Sequence, residues 1–428
     1  MINYNRLGYE IKRDLTNFST KISRGIKRPQ QKIVHQIIYG ILAGNKLHLS
    51  EIARSLEENI TLKKTIDRLS RNLNSFGDKQ AVMHNYLSLV KQHVKEGYAV
   101  IVIDNSDIAK PAGRKLEALS EIRDGSTGEI SQGYLSIEAA VLSEAGKMPL
   151  PVYEKVFSAE ESGFVSETYE NLCCLESLSK NFSEKCVRTL DRGFDANDYY
   201  RYFLKRSERF VIRAKKNRNV IYNGKTCNIM DVAAKYKGNY RMDFRDKSGR
   251  RVKCKMSCIP VRLCEIPSKE LTLVAVYGFG GQPMLLLSNL KMQEKKRLCH
   301  IVAKVYLMRW RIEEYFKFKK QQFGLKDLRV MSLQSIRSLN LFATLATGYV
   351  GLTASVHKDS IFLLELKECS RRIYEVPKFI FYALGYAIER VLSMNRKGIN
   401  GFLVKKDKSQ QLNLFEHFKI ADSGTYAF

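Results

Sequence analysis

The stretch from Tyr306 to Lys320 carries the residue types best suited to chemistry on a phosphodiester. It reads YLMRWRIEEYFKFKK, contains no Gly or Pro, and is predicted to be a helix. On a wheel of about 100° per residue, four of its side chains fall within roughly 60° of one another: Tyr306, Arg309, Glu313 and Lys320. This face suits a DNA backbone beside a metal ion, because the cations can hold phosphates and the carboxylate can hold the metal.

The same spacing also fits a solvated amphipathic helix with i,i+3 and i,i+4 salt bridges, so spacing alone leaves both interpretations open. Trp310 is the only Trp of the chain. It lies about 100° from Arg309 on such a helix, and we expect it to pack in the core rather than to act as a wedge between bases.

Two aspartates upstream end apolar, β-branched runs. YAVIVID ends at Asp104, and VRTLD ends at Asp191. Such runs predict buried strands, and carboxylates at strand ends project into one cleft. An Asp there can also be an ordinary turn or cap residue. Asp107, in the same IDNSD turn, competes with Asp104 for the first position, and Asp104 is preferred because it follows the apolar run directly.

This combination resembles a known signature. The pattern of a Tyr, an Arg three residues on, a Glu four further and a Lys seven further is similar to the Y-(2)-R-(3)-E-(6)-K signature of bacterial insertion-sequence transposases of the DDE type. The neighbouring letters RWRIEE and the two upstream aspartates also resemble that family. The resemblance extends from about His48 to about Ser332.

The resemblance implies specific roles. The metal ligands would be Asp104, Asp191 and Glu313. Two Mg²⁺ or Mn²⁺ ions, about 4 Å apart, would activate the nucleophile and stabilise the leaving 3′ oxygen. Arg309 and Lys320 would contact phosphates near the cut, and Tyr306 would stack on the strand or hydrogen-bond to it.

Composition agrees with a nucleic-acid partner. The chain has 428 residues, enough for two or three domains, and a formal net charge of +28. Its nine Cys form no CxxC pair, which indicates a reducing compartment and predicts a cytoplasmic, nucleoid-associated protein. No signal peptide is recognisable, and we expect the apolar stretch 339–356 to be a buried helix, with no membrane partner.

Residues 1–92 are predicted to be a helical DNA-binding domain. Within LHLSEIARSLEENITLKKTIDRLSRNL, Ser50 and Thr61 could cap two short helices, and Leu62, Ile66, Leu69 and Leu73 would form the apolar face of the second. The opposite face carries a basic group of residues: Lys63, Lys64, Arg68 and Arg71. This arrangement indicates helix-turn-helix-like DNA recognition, although a helical bundle with a basic solvated face fits as well.

The remaining chain reads as an α/β ribonuclease-H-like core. Its order is three strands, helix, strand, helix, strand, which is a mixed sheet with flanking helices. The predicted boundaries are 93–213 for the first part of the core, 214–292 for a β-rich insertion, 293–356 for the second part and 357–428 for a helical, basic C-terminal region. A basic loop after the last strand could track DNA backbone or simply be solvated: Arg213, Lys215, Lys216 and Arg218.

Together these features predict a DDE transposase that binds the terminal inverted repeats of its own element, cuts with water and transfers the freed 3′-hydroxyl. Its partners would be double-stranded DNA, at transposon ends and target, and a second copy of the chain when the ends are paired. Excision through a DNA hairpin is implied by the resemblance alone. A ribonuclease-H-like metal-dependent nuclease or junction resolvase, and a catalytically inactive DNA-binding relative, are the alternatives.

The C-terminal tail contains a possible docking peptide. QLNLF, after KKDKSQ, resembles the QL(S/D)LF-type peptide by which bacterial proteins bind the replication sliding clamp. The contact residues would be Gln411, Leu412, Leu414 and Phe415, with the apolar side chains as anchors and the amide at the pocket rim. Packing of these residues against the chain's own core is the alternative.

Overall fold

The N-terminal part of the chain is helical. The computed structural model describes residues 2–94, 99–113, 115–125, 127–142, 148–245, 250–371, 379–395 and 398. Five helices precede the first strand: α1 (Tyr4–Ile22), α2 (Arg28–Gly44), α3 (Leu49–Leu56), α4 (Leu62–Asn74) and α5 (Lys79–Lys91). They pack on one another through a shared apolar core, which explains why a region with so many basic residues folds at all.

Two local expectations for these helices were wrong. The helix α3 begins at Leu49 after His48, so Ser50 lies inside it rather than capping it. Thr61 does precede α4, but its side chain makes no capping hydrogen bond. The predicted apolar face of α4 is largely confirmed, since Leu69 and Leu73 are buried and Ile66 packs half-buried against the core. Leu62, in the first turn, is exposed instead, and Thr65 is buried.

The strands of the described residues form one mixed sheet of twelve. They are β1 (Val100–Ala109), β2 (Ser120–Arg123), β3 (Ile130–Leu142), β4 (Pro149–Phe157), β5 (Val187–Leu190), β6 (Arg209–Arg213), β7 (Asn219–Tyr222), β8 (Lys225–Asn228), β9 (Tyr240–Arg245), β10 (Arg251–Leu263), β11 (Ile266–Tyr277) and β12 (Met284–Ser288). β1 is antiparallel to β3 on one side and parallel to β5 on the other. β3 also pairs antiparallel with β4, and β5 pairs parallel with β6. This mixed sheet is consistent with the expected ribonuclease-H-like core.

The segment after β6 continues the same sheet. β12 pairs antiparallel with β6, β11 with β12, and β10 with β11. Residues 214–292 are thus rich in β-structure, with one short helix, α8 (Ile229–Ala234), but their long strands extend the core sheet instead of forming a sheet of their own. The domain boundaries themselves stay a prediction.

Helices cover the sheet. α6 (Glu167–Asn181) and α7 (Asn197–Lys205) connect β4, β5 and β6, and after β12 come α9 (Lys295–Met308), α10 (Trp310–Gln322), α11 (Leu333–Val356), α12 (Ile361–Cys369) and α13 (Ile380–Met394). α11 is the one helix among the described residues that is long and apolar enough to cross a membrane, and 89% of its apolar window is buried inside the fold. It packs on β4 and on α2, α4 and α13 as a central core helix.

The stretch 306–320 is two helices rather than the single helix predicted. α9 and α10 meet at Arg309, whose N–H donates to the Tyr306 carbonyl at 2.9 Å, and Ile312 N–H donates to the Arg309 carbonyl at 3.0 Å. These i→i−3 bonds tighten the chain locally into a 3₁₀-like turn. The break does not separate Arg309 from Glu313, because the Arg309 guanidinium still bonds to the carboxylate four residues further on.

Candidate catalytic site

The sheet topology brings Asp104 and Asp191 to the same edge of two neighbouring strands. β1 and β5 run parallel, and the register pairs Ile103 with Leu190. Asp191 immediately follows β5, as predicted, but Asp104 does not end its strand, because β1 continues to Ala109 in its pairing with β3. The parallel pairing of β1 with β5 does end at Ile103 and Leu190, so the two aspartates follow the last paired residues of neighbouring strands.

Asp191 is fixed by a tight turn. It precedes a short 3₁₀ turn at Arg192–Phe194, and its Oδ1 accepts a hydrogen bond from Gly193 N–H at 2.6 Å. A Cβ on Gly193 would lie 3.0 Å from that same oxygen. The small residue thus allows the backbone N–H to approach the carboxylate and orient it.

Glu313 reaches the two aspartates from α10. It lies in the first turn of that helix, where the helix dipole favours a negative charge. Arg309 connects it to the sheet: Nη1 donates to Asp104 Oδ2 at 2.5 Å, and Nη2 donates to Glu313 Oε1 at 2.8 Å. The Arg309 side chain is 13% exposed, whereas that of Glu313 is 41% exposed, so the site opens to solvent on the Glu313 side.

The electrostatics agree with the three carboxylates lying close enough to affect one another. Burial raises the pKa of Asp104 to about 7, and Asp191 and Glu313 add to this rise while Arg309 opposes it. Burial likewise opposes the charge on Arg309, but the surrounding Asp104, Asp191 and Glu313, with Tyr306, outweigh it and raise its pKa. The site is thus a cluster of negative charge held together by one guanidinium.

The chemistry of this cluster fits a divalent metal. Carboxylate oxygens are the ligands that Mg²⁺ and Mn²⁺ prefer, and three of them surround one cationic group here. Within the described part of the chain, no group of three or more His, Cys, Asp or Glu residues is already close enough to hold an ion. The guanidinium of Arg309 lies between Asp104 and Glu313, so metal ligation by both would require it to move.

Asp107 has different surroundings from Asp104. Lys320 Nζ lies 3.0 Å from its Oδ1, and Lys326 Nζ lies 3.2 Å from its Oδ2. Burial opposes ionisation of Asp107, but these two ammonium groups outweigh it and lower its pKa. The two lysines therefore neutralise Asp107. Lys320, which the sequence predicted to contact DNA phosphates, instead pairs with Asp107 and is only partly exposed.

Tyr306 and Trp310 flank the site in different ways. Tyr306 is 6% exposed and lies beneath Arg309, whose guanidinium carbon is 5.8 Å from the ring centroid. Trp310 is half-buried rather than fully in the core, and it lines a cavity of about 310 Å³ next to Glu313. Arg213 lines the same cavity, which connects the candidate site with the strands after β6.

The basic face of α4 contains three exposed cations rather than four. Lys63, Lys64 and Arg71 are exposed. Arg68 instead turns inward: Nη2 pairs with Glu58 Oε2 at 2.6 Å, and Nη1 donates to Gln36 Oε1 at 2.8 Å. Arg68 thus braces α4 against α2 and the turn after α3, which corrects its placement on the exposed face.

The basic loop after β6 divides in the same way. Lys215 and Lys216 are exposed, whereas Arg218 pairs with the buried Asp195 at 2.5 Å and donates to Asn197 at 3.0 Å. Asp195 also accepts from Tyr200 and from the Lys215 N–H. Arg218 therefore ties this loop to the turn that carries Asp191, a role that its position in a run of basic letters did not suggest.

Sequence reasoning missed a buried polar cluster next to the site. Glu138 on β3 and Lys319 on α10 form an ion pair in which each side chain is 1% exposed. The signal in the sequence was a lone Glu inside the apolar strand YLSIEAAVL, since such a residue is rarely buried without a partner. The clamp-docking residues Gln411, Leu412, Leu414 and Phe415 lie outside the described residues.

Comparison with known proteins assigns the class of protein. Residues 167–348 match the family model described as "Transposase DDE domain". The match includes Asp191 and Glu313 and begins after β1, which carries Asp104. The chain therefore contains a transposase DDE domain, and its function is that of a transposase, an enzyme of DNA transposition.

Two further comparisons complete the result. The chain is similar to a solved piggyBac transposase synaptic complex with hairpin DNA, at 11% identity and a TM-score of 0.45, over 99% of this chain and 85% of that one. The comparison with curated proteins gave no match.

Proposed function

We propose that this transposase binds the terminal inverted repeats of a bacterial insertion sequence, cuts the DNA at its ends and joins the freed 3′ ends to target DNA. The observation that carries the proposal is the convergence of Asp104, Asp191 and Glu313 around one cation inside a chain with a transposase DDE domain. The alternative nuclease or inactive relative lacks such a supporting observation.

The proposed ligands of the divalent ions are Asp104, Asp191 and Glu313. Two bound Mg²⁺ or Mn²⁺ ions would supply a lowered pKa for the attacking water or hydroxyl and stabilise the leaving oxygen. The turn at Gly193 keeps Asp191 oriented, and the first turn of α10 favours the charge on Glu313.

Arg309 has two candidate partners in this proposal. Without DNA it neutralises Asp104 and Glu313. A DNA phosphate can accept two hydrogen bonds from one guanidinium, whereas Arg309 here donates one to each of two carboxylates. Binding of the transposon end would therefore draw Arg309 from the carboxylates and leave them for metal. Lys320 would contact a DNA phosphate after leaving Asp107, which would still be paired with Lys326.

Recognition of the ends is assigned to the N-terminal helices. The exposed Lys63, Lys64 and Arg71 of α4 face solvent and suit phosphate contacts, and Lys215 and Lys216 offer a second basic surface after β6. We propose a homodimer on paired ends, since two transposon ends require two sites.

One partner besides DNA is proposed, the replication sliding clamp, through residues 411–415. A fluorescence titration of purified clamp should give a Kd in the micromolar range, about −8 kcal/mol. Substitution of Leu414 and Phe415 by Ala should remove binding, and binding that survives this change would reject the docking peptide.

The test of the function uses the full-length protein and DNA carrying the repeats that flank the gene. We expect cleavage at the repeat ends that needs Mg²⁺ or Mn²⁺, followed by joining of 3′ ends to a target plasmid. A protein that cuts DNA of unrelated sequence equally well, with no joined product, would be the nuclease alternative. End binding without any cleavage would identify the inactive relative.

A further inference from the structure

Three acidic residues lie directly opposite one another across β1, β3 and β4. The registers pair Asp104 with Glu138, and Glu138 with Glu154. Residues paired in this way point to the same face of a sheet, and like charges directly opposite are destabilising. The row therefore requires compensation from the helices that cover this face.

The middle residue of the row is the most completely compensated. Lys319 Nζ donates to both carboxylate oxygens of Glu138 at 2.9 Å, and the Tyr315 hydroxyl donates to the same carboxylate. Lys319 also reaches two side chains of α11, at 3.0 Å and 2.9 Å: Asn340 and Thr344. The ammonium and the carboxylate are thus sealed from water with every strong hydrogen-bonding group paired.

We propose that Lys319 and Glu138 are a positioning pair that fixes α10 along the sheet and thereby holds Glu313 opposite Asp104. Glu138 is the cross-strand neighbour of Asp104, and Lys319 follows Glu313 by six residues on one helix. An anchor at Lys319 therefore sets the place of Glu313. This inference rests on the proposed metal site.

A charged anchor allows α10 to take only one position along the sheet. A buried ion pair adds little net stability, because desolvation of both charges offsets their attraction, and apolar side chains of similar size often replace it without loss. Apolar contacts, however, permit a helix to slide, whereas an ammonium whose three N–H groups meet acceptors on three residues has one arrangement. The pair therefore contributes mainly to the register between α10 and β3.

The test compares two double variants of the full-length protein. Glu138→Leu with Lys319→Met removes the positioning pair and keeps side chains of similar volume, while Tyr315, Asn340 and Thr344 each lose a polar partner. The matched control is Arg188→Met with Glu208→Leu, a second buried ion pair whose side chains are 1% and 5% exposed. The Arg188 guanidinium is held by carbonyls of residues 182, 183 and 186, at the opposite end of β5 from Asp191.

Three measurements are made on both variants without DNA: the melting midpoint, the affinity for Mn²⁺ by calorimetry, and the fluorescence of Trp310, the only Trp of the chain and the first residue of α10. Both variants should melt below the wild-type temperature by similar amounts, because each leaves buried polar groups without a partner. The Glu138/Lys319 variant should bind Mn²⁺ at least about 10-fold more weakly, as for residues that orient metal ligands. Its Trp310 emission and quenching by acrylamide should change, whereas the control should match the wild type.

A Glu138/Lys319 variant with wild-type Mn²⁺ affinity and wild-type Trp310 emission would overturn the proposal. If the Glu138/Lys319 variant does not fold, Tyr315→Phe is the second test, because it removes only one hydrogen bond to Glu138. Tyr315→Phe should weaken Mn²⁺ binding several-fold at an unchanged melting midpoint, and unchanged binding would overturn the proposal. A wild-type protein that binds no Mn²⁺ would instead reject the proposed metal site, and Trp310 emission would still test the positioning of α10.

Discussion

α10 meets the sheet through two cation–carboxylate contacts that differ in their access to water. At its N-terminal end, Arg309 bridges Asp104 and Glu313, and the Glu313 side chain is 41% exposed. Near its C-terminal end, the side chains of Lys319 and Glu138 are each 1% exposed. The same helix thus has an open contact at one end and a sealed contact at the other.

The open contact allows its charged groups to change partners, whereas the sealed contact keeps α10 in place. At the open contact, water, a phosphate or a metal ion can replace one partner, because the freed charge is solvated or paired again at once. At the sealed contact, loss of one partner leaves a buried charge without compensation, which is strongly destabilising. An active site needs both kinds of contact: ligands that can change partners, and a frame that does not move while they do so.

The largest expected effect comes from removing the acids of the open contact, Asp104 and Glu313, or the neighbouring Asp191. Asp104→Ala, Asp191→Ala and Glu313→Ala should each abolish DNA cleavage, because each removes a proposed metal ligand, and end binding should remain. Gel-shift and cleavage assays with Mg²⁺ measure the two properties separately. Asp107→Ala is the matched control on the same strand. Cleavage retained in Asp104→Ala and lost in Asp107→Ala would move the first ligand to Asp107.

Breaking the sealed contact should act on stability first. Lys319→Met alone leaves Glu138 buried without its cation and should lower the free energy of unfolding by about 3–5 kcal/mol, measured by chemical denaturation. The neighbouring Lys320→Met is the control: its partner Asp107 keeps Lys326, so the loss should be clearly smaller. Equal losses at the two positions would show that the sealed contact is not special.

Exposed cations far from α10 extend the comparison to DNA binding. Removal of both Lys63 and Lys64 should lower the slope of log affinity against log salt by about 1–2 units, because fewer counterions are released. Binding titrations at several salt concentrations measure the slope. Arg68→Ala serves as the contrasting variant, since its pairing with Glu58 predicts loss of stability with a nearly unchanged slope. An unchanged slope in the Lys63/Lys64 variant would mean that α4 faces away from DNA.

Arg309→Ala should weaken DNA binding and strengthen Mn²⁺ binding. Loss of one phosphate contact should reduce the salt slope by about 1 unit. Mn²⁺ binding to the DNA-free protein should become tighter, because the guanidinium no longer competes for Asp104 and Glu313. Calorimetry without DNA measures this directly. Weaker Mn²⁺ binding would show that Arg309 supports the ligand geometry rather than competing with the ion.

The smallest effect concerns the outer residue of the acidic row. Burial raises the pKa of Glu154 from 4.5 to about 7, with Glu138 adding to the rise and Lys319 and Asn340 opposing it. The folded state then holds a proton that the unfolded state releases, so stability falls as pH rises from 4.5 to 7. Glu154→Gln should remove this fall, giving a higher melting midpoint than wild type at pH 8 and a similar one at pH 4. A parallel pH dependence in both proteins would contradict the assignment.

The sequence by itself determined most of the strands and helices of the core. Apolar runs such as YAVIVID and VRTLD are local patterns, and the strands β1 and β5 formed where those patterns lie. Asp104, Asp191 and Glu313 could be proposed because their types and their order along the chain carry the chemistry. The family match to residues 167–348 agrees with the class of protein that the signature predicted.

Only the tertiary structure decided which charges are available. Arg68 and Arg218 belong to basic runs, yet both pair with buried or half-buried acids on neighbouring segments, Glu58 and Asp195. The different roles of Asp104 and Asp107, three residues apart, depend on which cations the later segments bring to them: Arg309 to Asp104, and Lys320 and Lys326 to Asp107. Lys319 and Lys320 are adjacent, and one is sealed while the other is not. Burial and pairing depend on contacts between segments far apart in the chain, whereas residue type and spacing are local; a sequence therefore specifies the reactive groups before it reveals their partners.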